Sequence, residues 1–228
     1  MTTHTFALAT LAILATTPLP AQKTPDLAPY LMPDRTAEIA LARSAAPKAI
    51  SDSATVFVLT RTGFVEAVHG TNGWTCAVLR SFSGGLKDPD FWSPTVRAPL
   101  CLNPPAAASI FPENRKRIEW IMAGVSVAEI AERAARAYAS HELPMPAPGA
   151  MSYMLSHEQI LGKDNPHWKP HLMFFFDRSL PASNWGAGGF TAPVINASVD
   201  DDKNPVLTLF VPVRQWSDGS PALPDTGH

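Results

Sequence analysis

The chain has 228 residues, of which 46% are hydrophobic and 17% are charged. Its 18 basic and 20 acidic side chains leave a net charge of −2. A nearly neutral chain gives no electrostatic reason to expect nucleic acid or an anionic membrane surface as a partner. This length suits one domain with a substantial core, and the 23 prolines predict many loops and short regular elements.

The amino terminus has the pattern of an export signal. Residues 6–15 (FALATLAILA) form an unbroken apolar run. Such a run suits the hydrophobic region of a signal peptide and is too short to span a bilayer, which takes roughly 20 residues. Ala21 stands where a signal peptidase would cleave, although the first five residues lack Lys and Arg. We therefore predict a signal peptide at 1–21 and a periplasmic or secreted protein without a later membrane span; a buried N-terminal helix is the alternative.

A helix and then short strands are predicted after the signal. Asp34 is a good N-cap for a helix that runs to about Ala46, where Pro47 stops it. β-Branched and aromatic residues predict strands at 55–60, 64–68 and 74–80. The pair Asn72-Gly73 tolerates the positive φ of a tight turn. These strands are expected to form a three-stranded meander over about 55–80.

Cys76 and Cys101 are the two cysteines of the chain. In an oxidising compartment an isolated pair most often forms one disulfide, so we predict this bond. The alternative makes Cys76 a nucleophile that is paired with a histidine such as His69, but no cysteine-hydrolase signature surrounds it.

Two stretches of the first half have a recognisable pattern. EIALARSAAP (38–47) and GTNGWTC (70–76) resemble a group of exported bacterial hypothetical proteins. The resemblance covers roughly residues 35–105. It implies export and a bacterial source, and no activity is attached to the group.

A helix pair and separated strands are predicted in the second half. Residues 81–112 contain Gly-Gly and many prolines and are expected to form a long loop that is pinned at Cys101. A capping box at Ser126 and Glu129 opens the second helix of the pair. The predicted elements are helices at about 113–123 and 126–140, a strand at 150–155, a short helix near 157–161, strands at 171–176 and 206–213, and a flexible polar tail at 217–228. The whole pattern indicates a single α+β domain over 22–216 with a mainly antiparallel sheet.

Three histidines form the candidate catalytic or metal site. The imidazoles of His157, His167 and His171 are suitable ligands for a divalent metal such as zinc, with one position left open for water. Pro170 excludes a regular helix between His167 and His171, so their spacing does not place both rings on one helix face. Histidines that hydrogen-bond to loop carbonyls are the alternative. This set supports a metal-dependent or histidine-assisted hydrolase as the second functional hypothesis.

Three tryptophans form the candidate ligand-binding set. Trp92, Trp168 and Trp185 lie in proline- or glycine-rich loops, where an exposed ring can stack on a sugar or a peptide. Packing of these rings onto the edge of the core is the alternative. Because the sequence has no complete catalytic motif, the first functional hypothesis is a non-catalytic exported domain that binds a small molecule, an envelope glycan or a protein partner.

Overall fold

The computed structural model describes residues 26–164, 167–198 and 204–222, so the predicted signal peptide at 1–21 lies outside the described residues. The helices are α1 (Arg35–Arg43), α2 (Lys48–Ser51), α3 (Pro104–Ser109), α4 (Phe111–Met122) and α5 (Val127–Ala139). The strands are β1 (Thr55–Thr60), β2 (Gly63–Val68), β3 (Thr75–Leu79), β4 (Ala98–Leu102), β5 (Met151–Met154), β6 (His171–Asp177), β7 (Ile195–Asn196) and β8 (Val206–Pro212). They form one sheet in the order β2-β1-β3-β4-β5-β6-β8-β7. The prediction of a mixed α and β fold with a mainly antiparallel sheet is confirmed.

The predicted three-stranded meander (about 55–80) is wrong in its strand order. β1 and β2 form an antiparallel hairpin, but β3 lies on the other side of β1 and runs parallel to it. The cause is the connection between β2 and β3. Asn72 donates from Nδ2 to the Ile50 carbonyl at 2.7 Å, and the Gly70 N–H donates to Thr55 Oγ1 at 3.0 Å. These bonds hold the β2–β3 connection against the residues at and before the start of β1, so β3 begins beside the first residue of β1.

The predicted loop at 81–112 is wrong in its second half, which contains β4 and α3. Pro104 and Pro105 occupy the first positions of α3, where the missing N–H of proline breaks no helical bond. Asn103 caps this helix by accepting the Ala106 N–H at Oδ1. Prolines that indicate a loop in the sequence therefore start a helix here.

The helix pair and the N-terminal helix lie close to their predicted places. α4 and α5 begin and end within a few residues of the predicted bounds, and the Ser126 hydroxyl accepts the Glu129 N–H at 3.3 Å. Asp34 caps α1 by accepting the Thr36 N–H at 2.8 Å, although this helix ends at Arg43. Side-chain caps therefore mark the starts of α1 and α5.

Helices cover both faces of the sheet along its first strands. Because side chains alternate along a strand, Cys76 and Cys101 point to one face, where they pack in a cluster with Leu41 of α1. Leu100 points to the other face and belongs to the larger cluster, which includes Ile121 of α4. We call these two sides of the sheet the α1 face and the α4 face.

The two cysteines lie directly opposite each other in the β3–β4 pair, with their sulfur atoms 1.98 Å apart. This is bonding distance, in agreement with the predicted disulfide, and it leaves no free thiol for the alternative in which Cys76 is a nucleophile. A disulfide is compatible with an exported protein. Among the described residues, no helix is long and apolar enough to cross a membrane.

The first residues of the predicted flexible tail at 217–228 are hydrogen-bonded to the rest of the protein. The Ser217 N–H donates to the Leu155 carbonyl at 2.9 Å, and the Trp216 N–H donates to the Ser220 carbonyl at 2.9 Å. The start of the tail therefore folds back as a hydrogen-bonded turn beside the end of β5. Its last residues lie outside the described part of the chain.

Candidate ligand-binding site

His171 is a buried side chain at the start of β6. The residue is 1% exposed, and its ring centroid lies 4.7 Å from that of Trp168 and 4.9 Å from that of Phe210. Its Nδ1 donates to the Lys169 carbonyl at 2.8 Å. Burial lowers the pKa of His171 from 6.5 to about 4, and the bond to the carbonyl offsets only part of this shift. The ring is therefore neutral at physiological pH and acts in packing.

His157 is exposed and lies in a turn after β5, where a short helix is predicted at 157–161. Its Nε2 is 2.7 Å from Ser220 Oγ, which in turn donates to Asp218 Oδ1 at 2.6 Å. The imidazole packs on Trp216, with 4.4 Å between the ring centroids. Hydrogen bonds from Ser220 lower the pKa of the Asp218 carboxyl.

These three polar residues differ from a Ser–His–Asp triad in the order of their hydrogen bonds. In a triad the serine hydroxyl donates to histidine Nε2, and the carboxylate accepts from Nδ1. Here Asp218 accepts both the hydroxyl proton and the N–H of Ser220. The Nε2 of His157 therefore has to donate to Ser220 Oγ. A serine that receives a proton from histidine is not activated as a nucleophile.

The three predicted histidines are not brought together. His171 lies opposite Met154, which belongs to the core of the α4 face. His157 instead lines a depression that α1 also lines, and His167 lies in an exposed turn. Across the ranges that the structure describes, no group of three or more His, Cys, Asp or Glu side chains is arranged to hold a metal ion. A zinc site built from these histidines has no geometric support.

The three predicted tryptophans have different surroundings. Trp92 is 42% exposed and lies edge-on to Phe91. Trp168 is half-buried beside His171. Trp185 is 47% exposed and stacks on Phe176, with 4.4 Å between the ring centroids. None of the three lines either of the two depressions described next.

The first of two neighbouring open depressions is lined mainly by polar and charged residues and has a volume of about 680 Å³; we call it the polar depression. Its lining includes Arg43, Ser44, Lys48, Asp52, Ser156, His157, Glu158 and Asp218. The Ser44 hydroxyl donates to the Leu41 carbonyl at 2.7 Å and lies 2.6 Å from Ser156 Oγ, so the Ser156 hydroxyl donates to Ser44. Two basic and three acidic side chains nearly cancel in charge, which favours a ligand without a strong net charge.

The second depression is mainly apolar and has a volume of about 530 Å³. Its lining consists of Pro47, Tyr153, Leu155, Leu172, Val213, Arg214, Gln215, Trp216 and Pro221. Tyr153 lies opposite Cys101 in the β4–β5 pair, so this depression opens on the α1 face. The Trp74 ring stacks on Tyr153 at 5.4 Å between centroids and extends the aromatic surface.

Three dipeptides form the boundary between the two depressions, which we call the ridge. In each of them one residue lines the polar depression and its neighbour lines the apolar one: Ala46-Pro47, Leu155-Ser156 and Trp216-Ser217. The Leu155 N–H donates to the Ala45 carbonyl at 3.0 Å, and the Leu155 carbonyl accepts the Ser217 N–H. This bonding fixes a polar and an aromatic surface side by side.

Comparison with known proteins identifies no relative. No protein-family model, no curated protein and no solved structure matches the chain. Function is therefore inferred from the geometry of the described residues.

Trp216 and Tyr153 are not among the residues that the sequence pattern marks as candidates. Tyr153 lies inside a predicted strand, and Trp216 directly precedes the predicted tail. One local signal does point to Trp216. The Asp218-Gly219 pair that follows it is typical of a tight turn, and Gly219 has a φ of +85°. Such a turn predicts that the chain folds back after Trp216.

Proposed function

We propose that this protein is an exported, non-catalytic bacterial domain that binds a small molecule or a segment of an envelope polymer in the paired depressions beside Trp216. The observation that carries the proposal is the adjacency of a polar and an aromatic depression across one ridge. A ligand with one apolar face and several hydrogen-bonding groups fills both. Export is supported by the Cys76–Cys101 disulfide and, with the bacterial source, by the resemblance of 38–47 and 70–76 to exported proteins.

The sugars of an envelope glycan have this chemistry. One face of a pyranose ring presents C–H groups that pack on an aromatic ring, while its hydroxyl and N-acetyl groups form hydrogen bonds. Tyr153 and Trp216 supply aromatic rings, and Ser156, His157 and Asp218 supply polar groups. The nearly balanced charge of the polar depression favours a neutral sugar over a strongly anionic polymer.

Nuclear magnetic resonance of the 15N-labelled protein tests this function, with the trisaccharide of N-acetylglucosamine as the probe. We expect the indole N–H signal of Trp216 to shift on titration, with a Kd of about 1 mM, and Trp216→Ala to weaken binding at least about tenfold. Trp92→Ala is the matched control, because Trp92 is an exposed tryptophan outside both depressions. A titration that moves no Trp216 signal, or equal losses in the two variants, contradicts the glycan assignment.

A histidine-assisted hydrolase is the second candidate, and the 2.7 Å contact between His157 Nε2 and Ser220 Oγ favours it. This function requires Ser220 to release Asp218 and to turn its proton toward His157, which then acts as a general base. Treatment with a fluorophosphonate tests it. A covalent adduct at Ser220 that is lost in His157→Ala supports the hydrolase, and an unmodified Ser220 rejects it.

A further inference from the structure

The exposed ring of Trp185 lies on the same face of the sheet as the apolar depression. Trp185 is 47% exposed and stacks on Phe176 of β6, with an angle of 29° between the ring planes. Leu172 of β6 lines the apolar depression and lies opposite Tyr153, which points to the α1 face. Because side chains alternate along a strand, Phe174 and Phe176 point to the α1 face with Leu172.

A row of apolar side chains connects the apolar depression with Trp185. Leu172, Phe174 and Phe176 are half-buried, and so is Met151 of β5, which lies opposite Phe174. We call these four side chains the β6 strip. Its three β6 residues span roughly 13 Å of strand. Residues 151–154, 172–176 and 206–212 of the three neighbouring strands contain no charged side chain, so a ligand that follows the strip meets no ion there.

Covered parts of the α1 face flank the β6 strip on both sides. On one side, α1 packs on β1, β3 and β4. On the other side, Leu209 of β8 lies opposite Phe174 and is only 2% exposed. Leu207 lies opposite Phe176 and is buried to the same extent. A half-exposed row between two covered rows has the form of a groove that accepts an extended ligand.

Exposed polar groups accompany the ring of Trp185. Ser183 and Asn184 precede it in the 3₁₀ turn Ala182–Trp185, and both are exposed. A sugar uses a surface of this composition, because its C–H face packs on an aromatic ring and its hydroxyl groups bond to a neighbouring hydroxyl and amide. An acyl chain has no hydrogen-bonding groups for Ser183 and Asn184.

We propose that Trp185, supported by Phe176, forms a second sugar-binding platform, and that the ligand is an extended neutral glycan that runs from the paired depressions along the β6 strip to this platform. This assignment rests on the proposed function and adds the length and the course of the ligand. The distance along β6 requires a chain of several sugars. The absence of charged side chains from the three strands favours a neutral glycan over an anionic polymer.

Nuclear magnetic resonance of the 15N-labelled protein tests the second platform, with the trisaccharide and the hexasaccharide of N-acetylglucosamine as probes. The trisaccharide is expected to move the indole N–H signal of Trp216 and not that of Trp185, because it fills the paired depressions without reaching the second platform. The hexasaccharide is expected to move both signals and to bind at least about tenfold more tightly than the trisaccharide. The spectrum of Trp185→Ala assigns the Trp185 signal.

Three variants separate the second platform from the rest of the chain around it. Trp185→Ala should reduce the affinity for the hexasaccharide to that for the trisaccharide, because it removes the ring on which the distal sugar stacks. Trp185→Phe keeps a ring at this position and should retain most of the gain. Phe190→Ala is the matched control, because Phe190 is 75% exposed but lies beside Trp168 on the α4 face. It should bind the hexasaccharide like the wild-type protein, and far-UV circular dichroism checks that each variant folds.

The outcomes distinguish the second platform from the site beside Trp216. If the trisaccharide binds beside Trp216 but the hexasaccharide binds no more tightly, the second platform is wrong and the proposed function stands. The same holds if Trp185→Ala weakens both sugars equally, or weakens the hexasaccharide no more than Phe190→Ala does. If neither sugar binds, both assignments are wrong. A Trp185 signal that moves with monomeric dodecylphosphocholine and not with the hexasaccharide assigns the β6 strip to an acyl chain and overturns the glycan.

Discussion

His171 links the stability of the protein to pH. Its pKa is lowered to about 4 in the folded protein, from an ordinary 6.5, because burial penalises the charged ring. Between these values the unfolded chain binds a proton that the folded protein does not. The free energy of unfolding therefore falls as the pH falls through this window. At about 1.4 kcal/mol per unit of pKa difference, the loss reaches about 3 kcal/mol near pH 4.

Urea denaturation near pH 7 and near pH 4.5 measures this effect. His171→Phe keeps an aromatic ring beside Trp168 and Phe210, and this ring cannot be protonated. On acidification the free energy of unfolding of the variant should therefore fall by about 2 kcal/mol less than that of the wild-type protein. The same acid loss in His171→Phe and in the wild-type protein would show that this ring does not titrate as a buried group.

Arg80 and Glu38 form a buried ion pair with 2.7 Å between Nη2 and Oε1 and side chains that are 0% and 2% exposed. Arg80→Met is expected to lower the free energy of unfolding by about 3–5 kcal/mol, because it leaves the Glu38 carboxylate buried without its counter-charge. The exposed pair of Arg133 and Glu129, 2.8 Å apart, is the control. Arg133→Met should lower the free energy of unfolding by less than about 1 kcal/mol. If urea denaturation gives the same loss for Arg80→Met and Arg133→Met, the prediction is wrong.

Residue type alone predicts little of the candidate site. His157 and His171 are equivalent as sequence features, but one is exposed beside Trp216 and the other is enclosed opposite Met154. Strand register decides which environment each ring has, and register is a long-range property. The cysteine pair is different. An oxidising compartment favours a disulfide between the two cysteines of the chain, and their sulfur atoms lie at bonding distance, in agreement with the prediction.

At the scale of elements, local patterns predict which segments form strands and helices, whereas pairing depends on contacts outside those patterns. β1, β6 and β8 lie where β-branched and aromatic residues cluster, and α5 begins at its predicted cap. The order β2-β1-β3 follows from bonds that Gly70 and Asn72 make to residues at and before the start of β1. A turn sequence such as Asn72-Gly73 does not reveal those bonds, since it fits a hairpin equally well.

Gly70 is the position that tests this strand order. A Cβ at Gly70 would lie 2.1 Å from the Thr55 nitrogen and 2.6 Å from the Ser53 carbonyl oxygen, so Gly70→Ala forces the backbones apart where β3 begins beside β1. We expect a loss of about 3 kcal/mol in the free energy of unfolding, at the upper end of overpacking effects. Gly85→Ala is the matched control, because a Cβ there meets nothing within 4 Å. Thermal or urea denaturation in which both variants match the wild-type protein would favour the meander instead.

At the scale of the molecule, strand β6 connects the candidate site with the exposed ring of Trp185. Leu172 of β6 lines the apolar depression, and Phe176 of the same strand supports Trp185. Both β6 side chains point to the α1 face, and four residues of strand separate them by roughly 13 Å. Trp185 therefore lies on the same face of the sheet as the apolar depression but outside its lining.

The bond between Cys76 and Cys101 joins two central strands of the sheet and closes a loop of 25 residues. Its removal in the double variant Cys76→Ala/Cys101→Ala should lower the free energy of unfolding by about 3 kcal/mol, because the open chain has more entropy when unfolded. Reduction of the wild-type protein should lower the urea midpoint similarly and leave the double variant unchanged. Thiol titration in denaturant without reductant should find no free thiol in the wild-type protein. Two free thiols would contradict the bond and remove the structural support for export, because both cysteines would then suit a reducing compartment.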